Sequence, residues 1–226
     1  MDDLYTCSTS EANTTTKYFN HASLAGKEKL HNLLNDAWRI VFRTKSGLGA
    51  PVNHWGNAAG SDKIGSSQWI RNARIYFMIS DKATSVSEEY ILRTSNTDDA
   101  SGNWGPPFIT WLKYSKSGAA TWHGGTPNHA GVKTSHQKLG ATTGWHSMSL
   151  KSALRLLMRN FENTDFLNNF GAIGFSLEAD DEDDAVGNLL RVPDHDETDS
   201  PYMIIAYGQP TLSRTRGFGK RMMARL

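Results

Sequence analysis

Alternation of apolar and polar side chains is the strongest signal along this chain. Over residues 73–80, Ala73, Ile75, Phe77 and Ile79 fall on one side and Arg74, Tyr76, Met78 and Ser80 on the other, the period-two pattern of a half-buried β-strand. Residues 170–177 repeat it, with Ile173, Phe175 and Leu177 opposed by Ala172, Gly174 and Ser176. Small residues on one face let a neighbouring backbone approach closely. Residues 90–94 give a shorter strand. The run SPYMIIAYG, residues 200–208, is apolar on both faces, which predicts an interior strand covered on both sides.

One stretch changes period. Leu150, Ala153, Leu154, Leu157, Met158 and Phe161 recur at spacings of three and four, which predicts a short α-helix from Ser149 to Asn160 lying on a sheet. Ser147 or Ser149 is placed to cap its first turn, and Arg155 and Arg159 suit the negative end of its dipole. Leu30, Leu33, Leu34, Ala37, Trp38 and Val41 also fit helical spacing, so a short helix or turn, with Ser23 available as a cap, is expected before a strand over residues 38–43.

Between these elements the chain is dense in loop-forming residues. Residues 46–68 are rich in Gly, Ser and Asn, a composition that on a compact domain marks a functional or disordered loop. Pro106 and Pro107 exclude a helix at residues 97–107. Residues 1–22, rich in Thr, Ser and Asn, read as an extended arm or edge strand. The expected architecture is all-β: a jelly-roll β-sandwich with one short helix. Its expected divisions are an N-terminal arm over residues 1–29, the sandwich over residues 30–208 and a basic C-terminal arm over residues 209–226.

Composition fits that picture. A chain of 226 residues with 20 glycines and 10% aromatics suits one turn-rich β domain. The net charge of +1 gives no bulk attraction for nucleic acid. Its distribution is uneven, with ten acids and one Arg from Glu178 to Asp199, and five cations with no acid from Thr211 to Leu226. A single cysteine, Cys7, excludes an internal disulfide framework. No apolar run reaches the roughly 20 residues that cross a bilayer, and the first residues carry neither a basic n-region nor an apolar h-region, so cytosolic synthesis without ordinary secretion is expected.

The order of segments resembles a known family. WIRNARIYFMIS, ITWLKYSKSGAATWHGG, GWHSMSLKSALRLLMRN, NNFGAIGFSL and DSPYMIIAYG are similar in sequence order to DNRLRE-type domains, jelly rolls related to the carbohydrate-binding modules of bacterial surface proteins. The family's "A-x-L-x-L", "TW", Trp-led "dVT", "GF" and "SPYL" features map here onto residues 73–77, onto Thr110, Trp111, Thr121 and Trp122, onto residues 145–160, onto Gly174 and Phe175, and onto residues 200–204. The likeness spans residues 70–208. Ser147, Met148 and Ser149 replace the family's Asp-Val-Thr, and the basic tail has no counterpart. The resemblance implies the fold and assigns no ligand residue.

Candidate chemistry is sparse. Trp55 and Trp104 lie in Gly-rich loops and could stack on sugar rings, whereas Trp111, Trp122 and Trp145 sit at element starts and read chiefly as core. Asp180, Asp181, Glu182, Asp183 and Asp184 read as a solvated loop, because the alternating order of a calcium-binding loop is absent. His54, His123, His129 and His136 form no zinc motif. No G-x-S-x-G is present, Cys7 has no organised base beside it, and the adjacent pairs Glu88–Glu89 and Asp98–Asp99 would point to opposite strand faces. No enzyme activity, cofactor or metal is therefore expected.

The C-terminal arm is the remaining candidate. Arg214, Arg216, Lys220, Arg221 and Arg225 are interleaved with Phe218, Met222, Met223 and Leu226. Phosphate contact is one reading; an assembly arm lying on an adjacent subunit is the favoured one, because its apolar side chains gain by leaving water. The expected function is that of a non-enzymatic virion protein, a capsid decoration (cement) or accessory head–tail protein of a bacteriophage. Its expected partners are the major capsid protein or other virion proteins and further copies of itself, homotrimers being the family-level expectation. Neither membrane nor nucleic acid is expected as a partner. The alternative is a carbohydrate-binding module or adhesin.

Overall fold

The structure, a computed structural model, describes residues 2–13, 27–33, 35–44, 69–82, 88–94, 133–139, 142–152, 174–180 and 189–208. In chain order its strands are β1 (Asp2–Ser10), β2 (Lys27–Leu33), β3 (Asp36–Thr44), β4 (Trp69–Ile79), β5 (Asp81–Lys82), β6 (Glu88–Thr94), β7 (Lys133–Leu139), β8 (Gly144–Ser149), β9 (Gly174–Ala179), β10 (Leu189–Pro193) and β11 (Tyr202–Gly208). All pairings are antiparallel. The fold is an all-β, jelly-roll-like sandwich of curled sheets.

β1 joins the two sheets. Its first residues pair with β11, Asp2 opposite Met203 and Asp3 opposite Tyr202, and β11 continues through β4 to β8. From Leu4 to Ser10 the same strand pairs with β3. β3 leads on one side to β9, β6 and β7 and, through the β2 hairpin, to β10 and β5. Residues 2–10, read from sequence as an extended arm or edge strand, are thus a strand bonded to both sheets. Their inward positions, Leu4, Thr6, Ser8 and Ser10, are buried but mostly hydroxylic, which is why no apolar alternation marked them.

The strand expected over residues 38–43 is β3, and the short helix or turn expected before it is instead β2 and the tight turn that joins them in a hairpin. His31, Asn32 and Leu33 pair with Trp38, Ala37 and Asp36, and Asn35 adopts the left-handed φ of 61° that the tight turn requires. Asn tolerates that region better than most residues. Leu30, Trp38, Ile40 and Phe42 are buried, the last three at alternate positions of β3, the period of a strand.

The core lies between the sheets. Ala73, Ile75, Phe77 and Ile79 of β4 are fully buried, as the alternation predicts, against Phe42, Phe175, Leu177, Leu92 and Met148. Phe42 and Phe77 bring their ring centroids within 6.2 Å. β8 carries a correction: Ser147, Met148 and Ser149, expected to open the helix, are strand residues with Met148 fully buried. Helical backbone starts at Lys151 and Ser152, where the Lys151 N–H donates to Ser149 Oγ at 3.4 Å. The remainder of the expected helix lies outside the described residues.

Integration of β1 has a direct test. Cys7 is 0% exposed, so a thiol reagent should leave the native protein unlabelled and react fully once denaturant is added. Rapid labelling in buffer would contradict the placement of β1.

Candidate functional site: a buried carboxyl cluster and an exposed aromatic face

Hydroxyls sent into a core call for partners there, because an unpaired buried polar group is costly. Glu28, on β2, and Asp194, just after β10, supply them for Ser8 and Thr6, whereas the buried Ser10 Oγ has no hydrogen-bond partner among the described residues. Ser8 Oγ accepts the Lys29 N–H at 2.7 Å and donates to Glu28 Oε2. Thr6 Oγ1 donates to Asp194 Oδ1 at 2.9 Å and accepts the His195 N–H at 3.1 Å. The His195 ring closes the network, with Nδ1 against Asp194 Oδ1 and Nε2 3.3 Å from Asp196 Oδ1.

The two carboxyls are driven in opposite directions. Burial pushes Glu28 up from 4.5 to about 8; the Ser8 hydrogen bond opposes this and the nearby Asp194 charge adds to it. Burial also works to raise Asp194, but the side-chain hydrogen bond and charge of His195 and the Thr6 hydroxyl together hold it below its ordinary value. Cys7 is raised well above its ordinary value by burial, then by Glu28 and Asp194. Separated acidities are a signature of acid–base sites, but Thr6, Ser8 and Glu28 are at most 1% exposed. The hydrogen bonds of the cluster tie β1 to β2 and to the segment after β10.

A second buried pair sits on the other face of the β1–β3–β9 sheet. Arg39 Nε lies 3.5 Å from Glu178 Oε2, and both side chains are under 10% exposed. Glu178, the first acid of the acid-rich stretch 178–199, is a residue of β9, the strand paired with β3.

The solvent side of the β11–β4–β8 sheet is different in kind. Tyr76 on β4 and Tyr202 on β11 are register partners and stack with centroids 5.0 Å apart and planes 10° from parallel. Trp145 on β8, beside Met78, leans across to Tyr202 at 5.4 Å. Ile204 continues the face along β11, opposite Arg74, whose guanidinium donates to Ser147 Oγ at 2.9 Å and to the Ser147 carbonyl at 3.1 Å. Trp145, Ile204 and Tyr207 are 46%, 40% and 38% exposed, the large apolar side chains most open to solvent among the described residues.

Two sequence expectations change here. Trp145, read as core, is on the surface, because β8 turns Met148 inward and the odd-numbered positions outward. β11 is interior in its pairing, as expected, but only one of its apolar faces is buried: Met203 is 1% exposed while Ile204 is open. The signal was in the sequence as apolar residues on both faces of residues 200–208, and it marked a surface as well as a core. His195 and Glu28 carried no such signal, since neither lies in a motif.

The other candidates fall outside the described residues: Trp55, Trp104, Trp111, Trp122, the arm residues Arg214, Arg216, Phe218, Lys220, Arg221, Met222 and Arg225, and the acids 181–184. Among the described residues, no group of three or more His, Cys, Asp or Glu side chains is arranged to hold a metal ion, and no helix is long and apolar enough to cross a membrane. No family model and no curated protein matches this sequence. The resemblance to DNRLRE-type domains therefore rests on the order of its segments alone.

The Glu28 acidity sets a pH dependence with a definite sign. Between 4.5 and about 8 the folded chain holds a proton on Glu28 that the unfolded chain has released. The stability from this group is therefore complete below pH 4.5 and declines as pH rises, until it is gone above about 8. Glu28→Gln, which keeps the shape without the ionisation, should match the parent in melting temperature near pH 5 and exceed it by several degrees at pH 8.5. Parallel melting curves across that range would refute the assignment.

Proposed function

We propose that this chain is a non-enzymatic structural protein that works by docking onto other protein subunits. Its setting is a bacteriophage virion, as a capsid decoration or accessory head–tail protein. The observation that carries the docking reading is the outer face of the β11–β4–β8 sheet. A one-sided antiparallel sheet ordinarily turns polar residues to water, and here Trp145, Tyr202, Tyr76 and Ile204 stand together instead. Contiguous apolar surface of this kind, bordered by Arg74 and Ser147, marks interaction sites. The virion setting draws on the surface-protein type of sandwich and on a basic, apolar-studded tail suited to an adjoining subunit.

A glycan-binding module is the second reading, favoured by the same rings, since aromatic faces stack on sugars. Under it, Trp145→Ala abolishes retention on a glycan array. Under the structural reading the array stays blank.

The structural reading is tested by mass in solution. The full chain should form an oligomer across micromolar concentrations. Trp145→Ala combined with Ile204→Asp, which alters only solvent-facing positions, should fall to the monomer mass without losing its melting transition. A full chain that is monomeric throughout would overturn self-assembly.

A further inference from the structure

The outer aromatic face ends at a turn of fixed negative charge. Asp196, Glu197 and Asp199 are exposed there, in the segment that leads directly into Tyr202. The turn is held in shape by the Glu197 N–H on the Asp194 carbonyl at 3.0 Å, the Ser200 N–H on the Glu197 carbonyl at 3.2 Å and the Asp196–His195 contact at 3.3 Å. An apolar strip of Trp145, Tyr76, Tyr202 and Ile204 with carboxylates at one end calls for a ligand with apolar side chains and adjacent cations.

The chain contains such a segment. Residues 209–226 follow β11 without interruption, and from Thr211 onward they carry five cations and no acid, interleaved with Phe218, Met222, Met223 and Leu226. We propose that this basic segment is the occupant of the aromatic face. Phe218 and the methionines cover the rings, and Lys220, Arg221 and Arg225 meet the turn at residues 196–199. Arginines beside Tyr and Trp rings add cation–π attraction.

Reach permits it. From Gly208 to Phe218 an extended chain covers roughly 33 Å, whereas β11 itself is about 20 Å long. The segment can therefore turn back along its own sheet or cross to the same face of a neighbouring copy. A glycan would use the rings but would not answer the acids at residues 197 and 199 or the five cations of the segment. The proposal rests on the docking reading above and supplies the ligand of that surface.

Trypsin cleavage within residues 214–225 of the full chain, followed by intact mass, tests it separately from the oligomeric state. The segment should be cut slowly at 50 mM salt. Cleavage should speed up at least tenfold in Trp145→Ser/Ile204→Ser, in Glu197→Lys/Asp199→Lys and at 500 mM salt in the parent. The charge-reversed variant decides the matter if the first does not fold. Protection that deepens with protein concentration assigns the contact to a neighbouring copy. Protection independent of concentration in a monomeric chain assigns it to the same copy, which sustains this proposal while removing self-assembly. Equal, fast cleavage in parent and variants overturns it.

Discussion

Everything in this sandwich hangs on how β1 hides its hydroxyls. The strand bonds to β11 at one end and to β3 along the rest, so both sheets meet on a backbone whose inward side chains include Thr6, Ser8 and Ser10. Hydroxyls in a core are tolerated when bonded. The bonds found for Thr6 and Ser8 come from Asp194 and Glu28, on segments that also carry the Val192–Glu28 pairing of β10 with β2. Polar satisfaction at β1 and closure of the curled sheet are one requirement. The buried ionisable groups follow from it, since each carboxyl is kept for what it accepts and not for contact with solvent.

What could be read from residue order and what could not divides along physical lines. β4 was legible because its buried residues are all apolar and its exposed ones mostly polar, so period and burial agree. β6 and β9 were read from their apolar residues, although burial there runs over both faces and takes in Ser176 and Glu178. β1 was read only as an extended arm or edge strand because hydroxyls replace apolar residues on its inner face, and β2 as a short helix or turn because Leu30, Leu33 and Leu34 fit helical spacing with Ala37, Trp38 and Val41. What decides for the hairpin is a single Asn35 at positive φ. Trp145 was misplaced by the general expectation that large rings are buried. The carboxyl cluster was invisible, since Thr6, Glu28 and His195 meet only after three separate strands have paired.

The two polar and apolar anomalies of the molecule are complementary. Inside, where apolar side chains are the rule, Thr6 is hydrogen-bonded to Asp194 and Ser8 to Glu28. Outside, where polar side chains are the rule, Tyr76, Tyr202 and Trp145 pack against one another beside Ile204. The first anomaly is resolved within the subunit. The second stays open to solvent at Trp145 and Ile204. The turn at residues 196–199 is tied to the buried cluster through His195 and leads directly into Tyr202, so the two anomalies meet at one end of β11.

The adjacency of β1 and β11 also governs how the protein folds. Leu4 donates its N–H to the Pro201 carbonyl at 3.1 Å, a bond between residues nearly the whole chain apart. Contacts of such sequence separation slow folding and prolong the exposure of unpaired strand edges. The junction of the two sheets on β1 is therefore among the last parts of the sandwich to close, and until it does the edges of β1 and β11 are open to pairing with the wrong strand.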